Sequence, residues 1–192
     1  MGDTFSGNTR GADGTVHYDL WWSCPSRAGV WKLAPGSRTA RRIAALPADG
    51  LPNGRAVDPG GRTLYVADSR KGTIWAVPTA GGKALPWLTD PALAPLPDAG
   101  RPFGANGLRF PFLGDRSNVV PAAVNAANRV DVIYPDGTRA TVLTAADGLA
   151  SPTATALRGT TLYVTDAGVQ EPHQAQVQGA RIHPRALRHI TG

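Results

Sequence analysis

Glutamate and cysteine each occur once in this chain, at Glu171 and Cys24. One thiol excludes an internal disulfide framework and a cysteine zinc cluster. One glutamate leaves aspartate as almost the whole supply of acidic side chains. Lysine is nearly as rare: Lys32, Lys71 and Lys83 stand against 17 arginines, and the net charge is +6. Those arginines are scattered among strands and turns. They form no basic stripe with interleaved aromatics, so nucleic-acid binding is not expected. No run is long and apolar enough to span a bilayer, and no membrane partner is expected. The start, MGDTFSGNTRG, lacks the apolar core of a secretory signal, which leaves the cytoplasm as the default compartment. Sustained helical periods with caps are missing, which disfavours a doubly wound α/β fold. Also missing are a Ser-His-Asp arrangement, a nucleophile elbow and a phosphate-cradling glycine loop.

What the chain has is turns and repetition. Gly (23) and Pro (17) are spread evenly, as expected of many turns between short strands. Residues 49–68, DGLPNGRAVDPGGRTLYVAD, align without a gap to residues 147–166, DGLASPTATALRGTTLYVTD, with half of the positions identical. A fixed period marks units that bury their apolar faces only against their neighbours.

The clearest unit runs from Leu51 to Leu88. Arg55 to Val57 is a short strand, and Pro59-Gly60-Gly61-Arg62 has turn chemistry. Thr63 to Ala67 and Thr73 to Val77 are β-branched and aromatic strands. Lys83 to Leu88 suits an edge, where Pro86 is tolerated. Val16–Trp22, Gly29–Leu33 and Thr39–Leu46 form the second to fourth strands of an earlier unit, entered through a polar, glycine-rich loop. Arg129–Tyr134 and Arg139–Leu143, joined by Pro135-Asp136-Gly137, close a later one, and Leu149 to Asp166 opens another. Four-stranded antiparallel units of this length are β-propeller blades. The expectation is an all-β propeller of about four blades over residues 1–168, with a closing strand or polar tail over 169–192. One stretch, 110–121, breaks the pattern. It predicts an irregular or deleted blade, with strands lost between Asn106 and Arg129.

Blade topology places the entry to strand one and the loop between strands two and three on one face. Asn53, Asn106 and Thr153 occupy entries. Asp19, Asp68, Asn125, Asn128 and Asp166 lie at or near the loops. The blander reading makes the asparagines turn formers and the aspartates loop closers that accept backbone hydrogen bonds. The tryptophans read as blade packing. His173, His183 and His189 fall in the polar tail, apart from His17.

LPNGRAVDPGGRTLYVADS (51–69), GTIWAVPTAGG (72–82), FGANGLRF (103–110), NRVDVIYPDGT (128–138) and DGLASPTATALRGTTLYVTDAG (147–168) together resemble the gluconolactonase and regucalcin-like (senescence marker protein, LRE-like) family. NHL-type and strictosidine-synthase-like propellers carry similar motifs. The resemblance spans roughly Val16 to Gly168 and implies a shortened, truncated relative of a six-bladed propeller. It implies a hydrolase of sugar lactones with one divalent cation, calcium or zinc, acting as Lewis acid. Oxygen donors would hold the ion: a Glu near the chain start, the Asn of an Asn-Gly opening and the Asp of a Pro-Asp-Gly opening. Asn106 and then Asn53 match the Asn-Gly motif. Thr153 stands where the Asp is expected, and no early Glu exists, so the implied metal site is incomplete. A non-catalytic binding or scaffold propeller, self-associating through open blade edges, is the alternative.

Overall fold

Four antiparallel sheets follow one another along the chain, one per blade. The computed structural model describes residues 4–21, 25–97, 103–110, 119–168 and 175–183. Blade 1 comprises β1 (Thr4–Arg10), β2 (Val16–Trp21), β3 (Gly29–Leu33) and β4 (Arg41–Ala45). Blade 2 comprises β5 (Pro52–Val57), β6 (Thr63–Asp68), β7 (Thr73–Pro78) and β8 (Leu85–Thr89). Blade 3 comprises β9 (Ala105–Leu108), β10 (Val120–Val124), β11 (Arg129–Ile133) and β12 (Arg139–Leu143). Blade 4 holds β13 (Pro152–Arg158), β14 (Thr161–Asp166) and β15 (Gln176–Arg181). Among the described residues there is no α-helix, only three short 3-10 turns.

Two sequence expectations need correction. The polar start is a strand, not an entry loop: β1 pairs along β2 and completes blade 1. And β9 and β10, on either side of the irregular stretch, pair with each other. Strands read as remnants of two blades therefore make one four-stranded blade. Residues 111–118, the body of that stretch, lie outside the described residues, as do 169–174 and 184–192 with Glu171, His173 and His189.

The 98-residue repeat also has an internal step. It holds for the second strands, Thr63–Asp68 and Thr161–Asp166. The first strands are offset by two more, because Pro52 faces Asp68 and Pro152 faces Asp166 across their hairpins. The hairpin turn of blade 4, Gly159-Thr160, is correspondingly shorter than Asp58 to Arg62 of blade 2.

Each blade junction has its own apolar core. Val30, Ile43, Ala44 and Leu46 of blade 1 meet Leu64, Val66 and Val77 of blade 2. Ala56, Ala67 and Ile74 meet Val120, Ala122 and Ile133 of blade 3, with Tyr65 edge-on to Trp87 and Phe110. Val130, Val132 and Leu143 meet Leu157, Leu162 and Val164 of blade 4. Burying each such side chain contributes about 1.5–3 kcal/mol, so the junctions hold the fold together. The innermost strands β1, β5, β9 and β13 lie side by side in that order. Among the described residues β13 has no comparable packing against β1. As far as the described residues go, the four blades form an open arc.

Candidate functional site

Each inner strand is interrupted at the same place. The pairing register shifts at Ser6/Asn8 in β1, between Pro52 and Arg55 in β5, between Ala105 and Leu108 in β9 and between Pro152 and Ala154 in β13. A bulge leaves a residue out of the ladder and re-aims its side chain. In β1 the residue left out is Gly7, Ser6 keeping its pairing with Asp19; the side chains carried at or beside the bulges are Ser6, Asn53, Asn106 and Thr153, one per blade and all half-buried. Glycine explains how the strands come close enough. A Cβ on Gly54 would collide with the Asn106 carbonyl and come within 2.6 Å of Gly107 Cα. A Cβ on Gly107 would collide with the Thr153 carbonyl and come within 2.6 Å of Ala154 Cα. The Asn-Gly motif is thus a contact between blades, with Gly required by backbone approach.

The four bulge residues differ in what they have left to offer. Ser6 Oγ donates to the Pro52 carbonyl at 2.6 Å. Thr153 Oγ1 lies 3.1 Å from the Thr165 carbonyl and 3.0 Å from Thr165 Oγ1. Asn53 Nδ2 makes one long bond, 3.4 Å, to Ser69 Oγ. Among the described residues the Asn106 amide has no hydrogen-bond partner. Ser6 was not anticipated from sequence, although Ser6-Gly7 repeats the pattern of Asn53-Gly54 and Asn106-Gly107.

The remaining expected residues hold the blades in place. Asp68 Oδ1 accepts from Leu51 N–H at 2.7 Å and from the Arg70 and Lys71 amides, while Oδ2 takes Trp75 Nε1 at 3.4 Å. Asp166 accepts from Ala150 N–H at 3.1 Å and from Gln178 Nε2 at 2.8 Å. Both close loops. Asn125 Nδ2 reaches across to the Pro152 carbonyl at 3.1 Å, and its buried Oδ1 has no partner. Ser69 Oγ makes the equivalent reach to the Ala105 carbonyl. Ser6, Ser69 and Asn125 therefore each clasp the carbonyl just before the next blade's bulge. Asn128, at φ 47°, accepts from Ser151 N–H at 2.8 Å, the left-handed turn role expected of an asparagine. Pro135-Asp136-Gly137 is the hairpin turn between β11 and β12, with Asp136 Oδ1 accepting from Thr138 N–H at 2.9 Å.

Sequence reasoning missed Arg55. Its guanidinium is buried beneath the bulges, donating through Nε to Asp19 Oδ2 at 2.8 Å, through Nη1 to the Gly7 carbonyl at 2.6 Å and through Nη2 to the Asn53 carbonyl at 2.7 Å. Nη2 also bonds the Ser6 carbonyl and Asp19 Oδ2. Asp19 is fully buried and its Oδ1 has no partner. Burial pushes this carboxyl up to about 7, and nearby Asp68 adds to the rise, against the pull of Arg55. An arginine amid the short side chains of an inner strand was the available signal.

A resident calcium ion is held by several oxygens that include carboxylates, and a resident zinc ion by His, Cys or carboxylate side chains. The row of bulges offers two amides and two hydroxyls, all neutral. The nearby carboxylates are committed, Asp68 and Asp166 to loop closure and Asp19 to Arg55. Among the described residues no group of three His, Cys, Asp or Glu could hold a metal ion. The donor set does not fit calcium or zinc as a resident ion.

No family model and no curated protein matches the chain. Solved structures do. A catalytically inactive virginiamycin B lyase from Staphylococcus aureus, crystallised with quinupristin, superimposes with a TM-score of 0.64 at 15% identity over 95% of this chain and 57% of that one. Regucalcin from Agrobacterium tumefaciens, a calcium-binding protein, gives 0.65 at 19% identity over 93% of this chain and 61% of that one. A gluconolactonase from Xanthomonas campestris gives 0.57 at 20% identity over 82% and 52%. These likenesses show the β-propeller fold, consistent with the resemblance read from the motifs. The chain spans a little over half the length of the structures it matches.

Proposed function

We propose that this chain is a non-catalytic propeller module of the lactonase type, which binds a small polyhydroxylated molecule such as a sugar lactone at the row of bulges. The observation that carries this reading is the half-buried Asn106 amide, free of partners among the described residues, on a strand flanked by those that carry Asn53 and Thr153. An amide offers two N–H donors and a carbonyl acceptor, which matches the alternating donors and acceptors of a sugar. Neutral groups bind such a ligand without the desolvation cost of charge. They also lack the carboxylates that would hold a hydrolytic cation, and the likeness to regucalcin and gluconolactonase supplies the ligand class. If a calcium or zinc ion visits the site at all, Asn106 and Asn53 are the residues it touches.

Isothermal titration of the purified chain with glucono-1,5-lactone tests this. We expect binding that is unchanged by added calcium or zinc and weakened about tenfold by Asn106→Ala, one hydrogen-bonding side chain being worth about 1.4 kcal/mol. Micromolar metal binding with metal-dependent lactone hydrolysis would instead establish the hydrolase reading.

A further inference from the structure

The same inner strands end in a second cleft, which begins just past the bulges at Asn8 and Arg55. A pocket of about 470 Å³ opens where β1, β5 and β9 finish, lined by Asn8, Thr9, Arg10, Asp58, Arg109 and Phe110 among others. Val57 in its wall lies four residues along β5 from Asn53, roughly 13 Å at strand rise. An adjoining pocket of about 350 Å³ shares Gly11, Ala12, Val57 and Gly61 with it and extends to His17 and Lys32. The two form one groove that runs toward the face opposite the row of bulges.

We propose that this groove binds a small organic anion, a carboxylate- or phosphate-bearing molecule. Arg10 and Arg109 are exposed, and neither forms an ion pair or hydrogen bond with a described residue. Guanidinium forks match carboxylate and phosphate oxygens bidentately. Both acidic residues on the groove are tied into their own turns. Asp58 Oδ1 accepts from Arg62 N–H at 2.7 Å and Thr63 N–H at 2.9 Å. Asp13 accepts from Thr15 N–H at 2.9 Å and Thr15 Oγ1 at 2.8 Å. Arg55, in the wall, is already matched to Asp19. The cations left over are Arg10, Arg109 and Lys32, whose Nζ is anchored to the Thr79 carbonyl at 3.2 Å.

Beyond Asp58 and Asp13, the described residues of the groove wall add no opposing charge. His17 is 4% exposed and its Nδ1 is buried with no partner. Burial and the neighbouring Lys32 and Arg55 hold the imidazole below its ordinary range, with Asp13 opposing. The ring is therefore neutral near pH 7. A neutral imidazole in the wall adds no charge of its own, which leaves Lys32 and the two arginines to set the field of the groove. A volume of about 470 Å³ falls among small-molecule sites, which span about 300–1,000 Å³.

The test is calorimetric titration of the full chain with citrate and, separately, with inorganic phosphate at fixed ionic strength. Binding of at least one below about 1 mM is expected, lost about tenfold or more in the Arg10→Gln/Arg109→Gln variant. The melting temperature and the affinity for glucono-1,5-lactone should stay unchanged in that variant. Citrate preferred over phosphate assigns the carboxylate class, and the reverse assigns the phosphoryl class. No binding of either at about 10 mM, or equal binding by the double variant, overturns the proposal. Lactone binding can fail without touching it, because the two sites share no residue with a free polar group.

Discussion

Replacing Arg55 with alanine should be among the most damaging single changes available to this chain. The side chain is 1% exposed and Asp19 is 0% exposed. It ties blade 2 to blade 1 through Asp19 and the carbonyls of Ser6 and Gly7. Where the pair is ionised, removing one partner typically costs about 3–5 kcal/mol, because the other must stay buried as an uncompensated charge or take up a proton. For a chain of this size that is a fall in melting temperature of roughly 6–20 °C. The pH dependence sharpens the test. The Asp19 carboxyl is pushed up to about 7 in the folded chain from its ordinary 3.8. The folded chain therefore holds a proton that the unfolded chain releases between those values. The stability this contributes is complete below the lower value and is lost as pH rises toward the upper one. In Arg55→Ala the pull toward ionisation is gone, so the carboxyl stays protonated to higher pH. The damage should accordingly be greater at about pH 8 than at about pH 5. Urea unfolding followed by tryptophan fluorescence measures both. The double replacement Asp19→Leu/Arg55→Met should recover much of the loss, as apolar substitutes of similar volume often do. A cost below about 1 kcal/mol at the higher pH, or a cost independent of pH, would refute the reasoning.

Gly54→Ala should destabilise by about 1–3 kcal/mol or more, since the added methyl meets the backbone of Asn106 and Gly107. Gly60→Ala, where the nearest atom is Asp58 Oδ2 at 3.4 Å, should cost less than about 1 kcal/mol by the same urea assay. Association should also depend on concentration. Tyr163 and Val177 on blade 4 are 43% and 69% exposed, whereas Tyr65, at the equivalent place in blade 2, is packed against blade 3. Sedimentation velocity should show oligomers of this chain that Tyr163→Ser reduces, and a monomer at all concentrations would count against it.

The legible parts of the fold were those whose side chains do the packing. TLYVAD and TIWAV alternate or run apolar, and their strands lie within a residue of where the sequence puts them. β1 was not legible because TFSGNTR carries little apolar signal. Its place depends on a backbone that fits beside β5, which side-chain patterns do not record. The same holds for Asn53, whose strand begins three residues before Arg55, with Pro52 at the edge position it tolerates. At the site, the asparagines could be read from Asn-Gly. The clasp by Asn125 and the Arg55–Asp19 pair could not, since both join residues far apart in sequence and on different blades.

The clasps from Ser6, Ser69 and Asn125 run in one direction, each blade gripping the one that follows. Among the described residues such an assembly is a linear chain of couplings rather than a closed hoop. Opening costs least where a blade has one neighbour, at blades 1 and 4, and most at the middle pair. Asn53 and Asn106 both sit on that middle pair. The order in which the molecule comes apart therefore leaves its amides in place until last.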